Sequence, residues 1–135
     1  MERLKVFTDG ASRGNPGEAG FGVVIQDSKG TQIEEVSGYL GKATNNVAEY
    51  SALIAALKAV TKYGNVPVDI YSDSELLVKQ LHGLYQVKST GLLPLFKEAK
   101  RLMEQLRKVT LTHIPREKNS EADALANRVL NRRAK

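Results

Sequence analysis

The sequence contains no cysteine and no tryptophan, and none of its apolar runs is long enough to cross a bilayer. The absence of cysteine excludes disulfide bonds and thiolate-bound metals. A membrane-spanning helix needs about 20 apolar residues, and the first residues, MERLKVF, lack the form of a signal peptide. We therefore expect a cytoplasmic protein without membrane contact. A chain of 135 residues has the length of one domain, residues 1–135.

Basic residues are in excess and are concentrated in two segments. The net charge is +5 at pH 7. Between Lys79 and Lys108 there are seven bases and two acids, and the segment RVLNRRAK contains four more bases. Clustered bases are typical of proteins that bind polyanions such as nucleic acid, although a solvated helix face produces the same pattern.

Hydrophobic patterning predicts an α/β fold. Apolar-rich segments and helical periodicity predict five strands and four helices. The predicted strands are 3–9, 21–27, 31–40, 66–73 and 109–114. The predicted helices are 46–63, 74–82, 92–108 and 120–133. We expect the first three strands to form an antiparallel meander and the later ones to add parallel strands, which gives a five-stranded mixed sheet flanked by helices.

Four acidic residues lie at strand ends or in first helical turns, which is where sites assemble in α/β sheets. These residues are Asp9, Glu49, Asp73 and Asp123. Carboxylates that meet repel one another unless cations neutralise them, and ligand sets made of oxygen alone favour hard divalent ions such as Mg²⁺. Two such ions about 4 Å apart are a known device for displacement at phosphorus. Spacing alone does not show that the four acids meet.

Each acid also has a structural alternative. The Asp-Gly pair that follows the first strand is typical of a hairpin turn. Asp73 suits the N-cap of the next helix. Glu49 matches a capping box behind an Asn46 cap, and Asp123 matches one behind Ser120.

Four blocks occur in order along the chain, namely TDGASRGNPG (8–17), TNNVAE (44–49), YSDS (71–74) and NSEAD (119–123). Together they resemble type 1 ribonuclease H, in particular its compact archaeal-type and short bacterial branch, over nearly the whole chain. The resemblance implies the ribonuclease H-like fold and an endonuclease that hydrolyses the RNA strand of RNA–DNA hybrids, leaving 5′-phosphate and 3′-hydroxyl ends. It also implies that the four acids are catalytic and hold two Mg²⁺ ions, for which Mn²⁺ substitutes. We expect a monomer.

The resemblance further implies a set of substrate contacts. By motif these are Gly10, Asn15, Lys42, Thr44, Asn45, Asn46 and Ser74. An amide donates and accepts, so the asparagines suit recognition of the 2′-hydroxyl that distinguishes RNA from DNA. Lys42 and Thr44 match a pocket for a DNA phosphate, although a plain surface lysine explains Lys42 equally well. One of Asn45 and Asn46 is also expected to cap the helix.

The sequence departs from the family pattern in three places. Many members carry a histidine on the loop before the last acid, but His113 falls in a predicted strand. We therefore assign the auxiliary catalytic role on that loop to Arg116, as a phosphate-facing residue, with His113 and Glu117 as alternatives. Glu75 stands where many members have glutamine. The tryptophan-rich basic protrusion of longer members is missing, so we expect other bases to contact the DNA strand, and the candidates are Lys88, Lys97, Lys100 and Arg101.

Three alternatives to hybrid cleavage remain. Some compact members also cut double-stranded RNA, and this chain is a candidate for that activity. A second alternative is a module that binds hybrids without catalysis, but the presence of all four acids argues against it. A third is a transposase- or resolvase-like protein that acts on DNA, but the TNN and GNPG blocks suit RNA recognition.

Overall fold

The computed structural model describes residues 2–106 and 108–133, which form five strands and four α-helices. The strands are β1 (Leu4–Ser12), β2 (Gly17–Gln26), β3 (Gln32–Ala43), β4 (Val68–Ser72) and β5 (Val109–His113). The helices are α1 (Asn45–Val60), α2 (Glu75–Leu81), α3 (Leu93–Gln105) and α4 (Ser120–Arg133). None of the helices in these two ranges combines the length and the apolarity needed to cross a membrane.

The strands form one mixed sheet in the order β3-β2-β1-β4-β5. β1, β2 and β3 pair antiparallel in chain order, and β4 lies parallel to both β1 and β5. This topology confirms the predicted meander followed by parallel strands. It also places the carboxyl ends of β1 and β4 side by side, where sites form in parallel sheets.

Helices cover both faces of the sheet. α1 packs on one face against β1, β2 and β3, with α2 and α3 beside it, and α4 packs on the other face. The α1 face holds the larger core, to which the sheet contributes Leu4, Val6, Val23 and Ile70, all 0% exposed. Because β1 is pleated, Phe7 points the opposite way and packs with Ala122 and Leu125 of α4.

Several predicted boundaries are wrong, and capping explains two of them. The N-cap of α1 is Thr44, whose side chain accepts a hydrogen bond from the amide of Val47, so neither Asn45 nor Asn46 caps this helix. The N-cap of α2 is Ser74 and not Asp73. Threonine and serine at these positions satisfy helix-end amide groups that Asn46 and Asp73 were expected to satisfy.

Strand β1 runs past the predicted Asp-Gly turn. It stays paired with β2 up to Ser12, so the hairpin turn at Asp9 is wrong, and the turn lies between Ser12 and Gly17. Helix α3 was predicted to reach Lys108 but ends at Gln105. Arg107, which was part of that prediction, lies outside the described residues.

Gly22 allows α4 to lie close to the sheet. It is paired with Asp9 in the β1–β2 ladder. A Cβ at this position would lie 2.6 Å from the carbonyl oxygen of Ala122 and 2.9 Å from the amide nitrogen of Ala126, both of which are backbone atoms of α4. Only glycine allows this contact, which sets the height of α4 above Asp9.

We predict that Gly22→Ala lowers the free energy of unfolding by about 1–3 kcal/mol, the usual cost of overpacking, because α4 must move away from the sheet. Urea denaturation followed by circular dichroism measures this change. The matched control is Gly91→Ala, since a Cβ there meets only the Ser89 hydroxyl at 3.7 Å. The control should change stability by less than about 0.5 kcal/mol. Equal midpoints for Gly22→Ala and the parent would contradict the close packing of α4.

Candidate active site

Three of the predicted acids form one cluster at the carboxyl end of β1 and β4. Asp9, Glu49 and Asp73 each offer a carboxylate oxygen, and these oxygens all lie within 4.8 Å of one another. Asp9 and Glu49 are buried, each with 5% of its surface exposed. Asp123 reaches the same cleft, of about 380 Å³, from α4. The four acids predicted from scattered positions therefore share one cleft.

Strand lengths place Asp9 beside Asp73. β4 ends at Ser72, which is paired with Thr8, whereas β1 continues. Asp9 is thus the first β1 residue beyond the last β4 pair, and Asp73 is the first residue after β4. The sequence predicted Asp9 at the end of its strand, but Asp9 lies inside β1. It nevertheless lies at the end of the parallel β1–β4 ladder.

A backbone hydrogen bond orients Glu49. The amide of Gly10 donates to Glu49 Oε1 at 2.7 Å. A Cβ at Gly10 would lie 2.2 Å from the carbonyl carbon of Ala48, so a side chain there would push α1 away from β1. The carboxylate of Glu49 faces the neighbouring acids and does not turn back to cap its own helix.

Two asparagines hold the other acids. Asn127 lies one helical turn after Asp123 on α4, and its Nδ2 donates to Asp123 Oδ1 at 3.2 Å and to the Asp123 carbonyl at 2.9 Å. Asn119 Nδ2 donates to Asp73 Oδ2 at 3.3 Å. Sequence reasoning assigned neither residue a role. The i,i+4 spacing of Asp123 and Asn127 was the available signal for the first pair.

Burial and mutual repulsion raise the pKa values of the two buried acids. Desolvation, reinforced by the carboxylates of Glu49 and Asp73, raises the pKa of Asp9 to about 9. Desolvation and the Asp73 carboxylate raise the pKa of Glu49 to about 8, against the opposing effects of the Gly10 amide and the Arg116 guanidinium. Ionising both acids in this cleft is therefore costly unless a cation compensates.

The cluster fits a hard divalent cation. Its donors are carboxylate oxygens alone, which is the ligand chemistry of Mg²⁺ and Mn²⁺. The cleft is lined mainly by polar groups and opens to solvent, which leaves room for water and substrate oxygens beside the protein ligands. The acidic cluster can therefore bind metal.

Two arginines flank the acids. Arg116, which begins the short 3₁₀ turn after β5, lines the cleft, as does Arg13 from the turn after β1. Arg13 donates to the side chain of Asn131 on α4. His113 is the last residue of β5 and lines a separate concavity formed by residues of α2 and β5, so the structure places Arg116 and not His113 beside the acids. Sequence reasoning did not single out Arg13, although it lies within the block 8–17.

The predicted substrate contacts divide into two groups. Gly10, Asn45 and Ser74 line the acid cleft, and Asn15 joins them because its Oδ1 accepts a hydrogen bond from the Asn45 amide at 3.2 Å. In the described part of the chain, the residues lining this cleft do not include Lys42, Thr44 or Asn46. These three lie at the end of β3 and the start of α1, next to the cleft in the chain.

The bases Lys88, Lys97, Lys100 and Arg101 are exposed on α3 and the loop before it, outside the cleft.

The raised pKa of Asp9 gives a testable pH dependence. For an acid whose pKa is raised on folding, the native state keeps a proton that the unfolded state releases. Stability therefore falls as the pH rises from about 4, the unfolded value, towards 9. We predict that Asp9→Asn stabilises the metal-free protein at pH 8 by about 1 kcal/mol or more, or roughly 3–5 °C in Tm, and by much less at pH 4.

Thermal unfolding in EDTA between pH 4 and pH 9 measures this difference. Glu104→Gln, on an exposed position of α3 away from the cleft, removes one carboxylate without touching the cluster. This control should follow the parent at every pH. Parallel curves for Asp9→Asn and the parent would show that Asp9 titrates normally and would contradict the electrostatic account of the cluster.

Comparison with known proteins agrees with this geometry. A family model described as reverse transcriptase-like matches residues 7–129. A ribonuclease HI of Halobacterium salinarum is 41% identical over 128 residues, 95% of this chain and 64% of that protein. A bifunctional protein of Mycobacterium tuberculosis is 41% identical over 126 residues, which cover 93% of this chain. The chain spans 35% of the length of that relative.

A solved structure extends the comparison to three dimensions. LC11-RNase H1, crystallised in complex with an RNA/DNA hybrid, superimposes with a TM-score of 0.92 at 43% sequence identity. The match covers 98% of this chain and 99% of that one. Since the family model covers most of the sequence and the fold agrees over nearly all of it, this chain belongs to the reverse transcriptase-like family of ribonuclease H-like domains.

Proposed function

We propose that this protein is a metal-dependent endonuclease that hydrolyses the RNA strand of RNA–DNA hybrids. The observation that carries the proposal is the cluster of Asp9, Glu49 and Asp73 in an open cleft flanked by arginines. The similarity to proteins named ribonuclease H, one of them crystallised with a hybrid, supports the same substrate. The proposed products end in 5′-phosphate and 3′-hydroxyl groups.

The residues that would hold the metal are the four acids already described, and we propose two Mg²⁺ ions, with Mn²⁺ as a substitute. When bound, the ions would lower the pKa of the attacking water and stabilise charge on the leaving 3′ oxygen. The protein holds these ligands in advance. Glu49 is fixed by the Gly10 amide and Asp123 by Asn127. Such preorganisation lowers the cost of assembling the reacting groups.

The arginines would bind the phosphates. A guanidinium presents five donors in a planar fork that suits phosphate oxygens. One Arg13 N–H group donates to the side chain of Asn131, and this bond holds the Arg13 side chain at the edge of the cleft. The other N–H groups of Arg13 can donate to a phosphate of the nucleic-acid backbone. Arg116 is exposed at the cleft and also lowers the cost of ionising Glu49.

Polar groups at the cleft edge would recognise the RNA strand. The hydroxyl of Ser74 accepts a hydrogen bond from Leu77 as a cap, which leaves its O–H free to donate. The Oδ1 of Asn15 is occupied by the Asn45 amide, which leaves the Nδ2 of Asn15 free to donate. Donors of this kind suit the 2′-hydroxyls exposed in the shallow minor groove of A-like duplexes. Lys42 and Thr44 are proposed to hold a phosphate of the DNA strand.

We predict that the protein cuts labelled RNA in an RNA–DNA hybrid when Mg²⁺ or Mn²⁺ is present and not in EDTA. Gel electrophoresis with four substrates tests this, namely the hybrid, double-stranded RNA, single-stranded RNA and duplex DNA. Cleavage of double-stranded RNA as well would widen the substrate class. No cleavage of any substrate with either ion would refute the proposal and favour a module that only binds hybrids.

The same gel tests the assignment of the acids. Asp9→Asn keeps the shape of the side chain but removes a charged ligand, and several kcal/mol of transition-state stabilisation depend on the bound ions. We therefore predict a loss of at least about 100-fold in kcat. Glu104→Gln should retain the parental rate. Parental activity in Asp9→Asn would show that the active site lies elsewhere.

Arg116 and His113 are distinguished by a further pair of variants. We predict that Arg116→Ala lowers kcat/KM about 10-fold and reduces the slope of log affinity against log salt by roughly one, because one phosphate contact is lost. His113→Ala should leave both quantities unchanged, since His113 faces a different concavity. A loss confined to His113→Ala would overturn the role proposed for Arg116.

A further inference from the structure

We infer that Asn119 is a positioning residue that joins the acid-bearing segments and fixes Asp73 for metal binding. The inference rests on the proposed function, in which Asn119 is neither a metal ligand nor a substrate contact. Asn119 precedes α4 and is 1% exposed. It belongs to the block 119–123, but the sequence analysis assigned it no role of its own.

One side chain reaches two of the acid-bearing strands. Asn119 Nδ2 donates to the carbonyl oxygen of Thr8 at 2.8 Å and to Asp73 Oδ2 at 3.3 Å. Thr8 directly precedes Asp9, so the two bonds hold the end of β4 against the acid-bearing part of β1. This contact lies just beyond Ser72, where the parallel ladder ends.

The backbone of Asn119 reaches the other side of the cleft. Its carbonyl oxygen accepts a hydrogen bond from the amide of Asp123 at 3.1 Å, and its own amide donates to the carbonyl of Arg116 at 3.0 Å. A single residue is thus hydrogen-bonded to Asp73, to Asp123, to the residue before Asp9 and to Arg116. Replacing its side chain would remove the bonds to Thr8 and Asp73, whereas the backbone bonds to Asp123 and Arg116 do not depend on the side chain.

The chemistry of the partners fixes the orientation of the amide. The Thr8 carbonyl and the Asp73 carboxylate are both acceptors, so Nδ2 must face them and Oδ1 must face away. Oδ1 is buried and has no hydrogen-bond partner among the described residues. The side-chain amide of Asn119 is therefore held by the hydrogen bonds of Nδ2 alone. Aspartate would offer no donor here, and serine would not reach both acceptors. Asparagine therefore supplies a neutral double donor that aims one oxygen of Asp73 without adding a charge to the cluster.

Partners of metal ligands typically contribute 10–100-fold to metal affinity or activity. We therefore expect Asn119→Ala to weaken Mn²⁺ binding, measured by calorimetry on the protein without nucleic acid, by about 10-fold. The Mg²⁺ concentration for half-maximal hybrid cleavage should rise by a similar factor, and kcat at fixed Mg²⁺ should fall while KM for the hybrid stays within about twofold. Asn119→Ser, which keeps a small polar group, should show the same pattern more weakly and serves if the alanine variant fails to fold.

The matched control is Gln80→Ala. Gln80 is also a buried amide, 5% exposed, and it accepts a hydrogen bond from the Tyr50 hydroxyl at 2.7 Å, but it lies outside the acid cleft. Its loss should lower Tm and leave the Mn²⁺ affinity and the Mg²⁺ midpoint unchanged. If Asn119→Ala or Asn119→Ser behaves like this control, Asn119 is only a structural amide and the inference is overturned.

A double-mutant cycle on Mn²⁺ affinity isolates the contact to Asp73. If Asn119 acts through Asp73, Asn119→Ala should weaken Mn²⁺ binding in the parent but have little further effect in the Asp73→Asn background. If Asn119→Ala lowers Mn²⁺ affinity by the same factor in the parent and in the Asp73→Asn variant, action through Asp73 is excluded. Because this cycle needs no substrate, it tests Asn119 even if the parent fails to cut hybrids, which would refute only the proposed function.

Discussion

Repulsion among carboxylates is the constraint that the rest of this structure must satisfy. Three carboxylate oxygens within 4.8 Å of one another are unfavourable in a cleft where Asp9 and Glu49 are almost fully buried. Three of the four acids in the cleft are held by hydrogen bonds from residues outside the cluster. Gly10 fixes Glu49, Asn119 fixes Asp73 and Asn127 fixes Asp123. When no cation is bound, the favourable packing of the surrounding core must offset the repulsion among the acids. A bound cation would reduce that repulsion directly.

The packing of the sheet explains why the cluster lies where it does. Glycines at two adjacent points of the β1–β2 ladder allow helices to approach from opposite faces. Gly10 admits α1, which carries Glu49, and Gly22 admits α4, which carries Asp123. The pleat turns adjacent pairs of this ladder to opposite sides, so Gly10 in β1 and Gly22 in β2 serve opposite faces of the sheet. The larger core under α1 and the smaller one under α4 then hold the two helices in place.

Much of this arrangement could be predicted from the sequence. Periodicity predicted every strand and helix and the mixed sheet, and the motif blocks predicted which acids meet. The missed features depend on contacts between distant segments. The Asp-Gly pair favours a turn locally, but pairing with β2 extends β1 to Ser12. Several good capping residues stand side by side before α1 and α2, so the local sequence does not decide which one caps, and in the structure Thr44 and Ser74 do so. The bonds of Asn119 to Thr8 and Asp73 have no counterpart in any local pattern.

The long sequence separation of the hydrogen bond between Asn119 and Thr8, 111 positions, has a consequence for how the protein is made. A ribosome that has translated the chain only as far as β5 has produced Asp9, Glu49 and Asp73 but neither Asn119 nor Asp123. A nascent chain of that length lacks the groups that join the acid-bearing segments. The acid cluster is therefore completed only when α4 emerges. A chain truncated before this helix lacks Asn119 and Asp123 even where much of its sheet sequence is present.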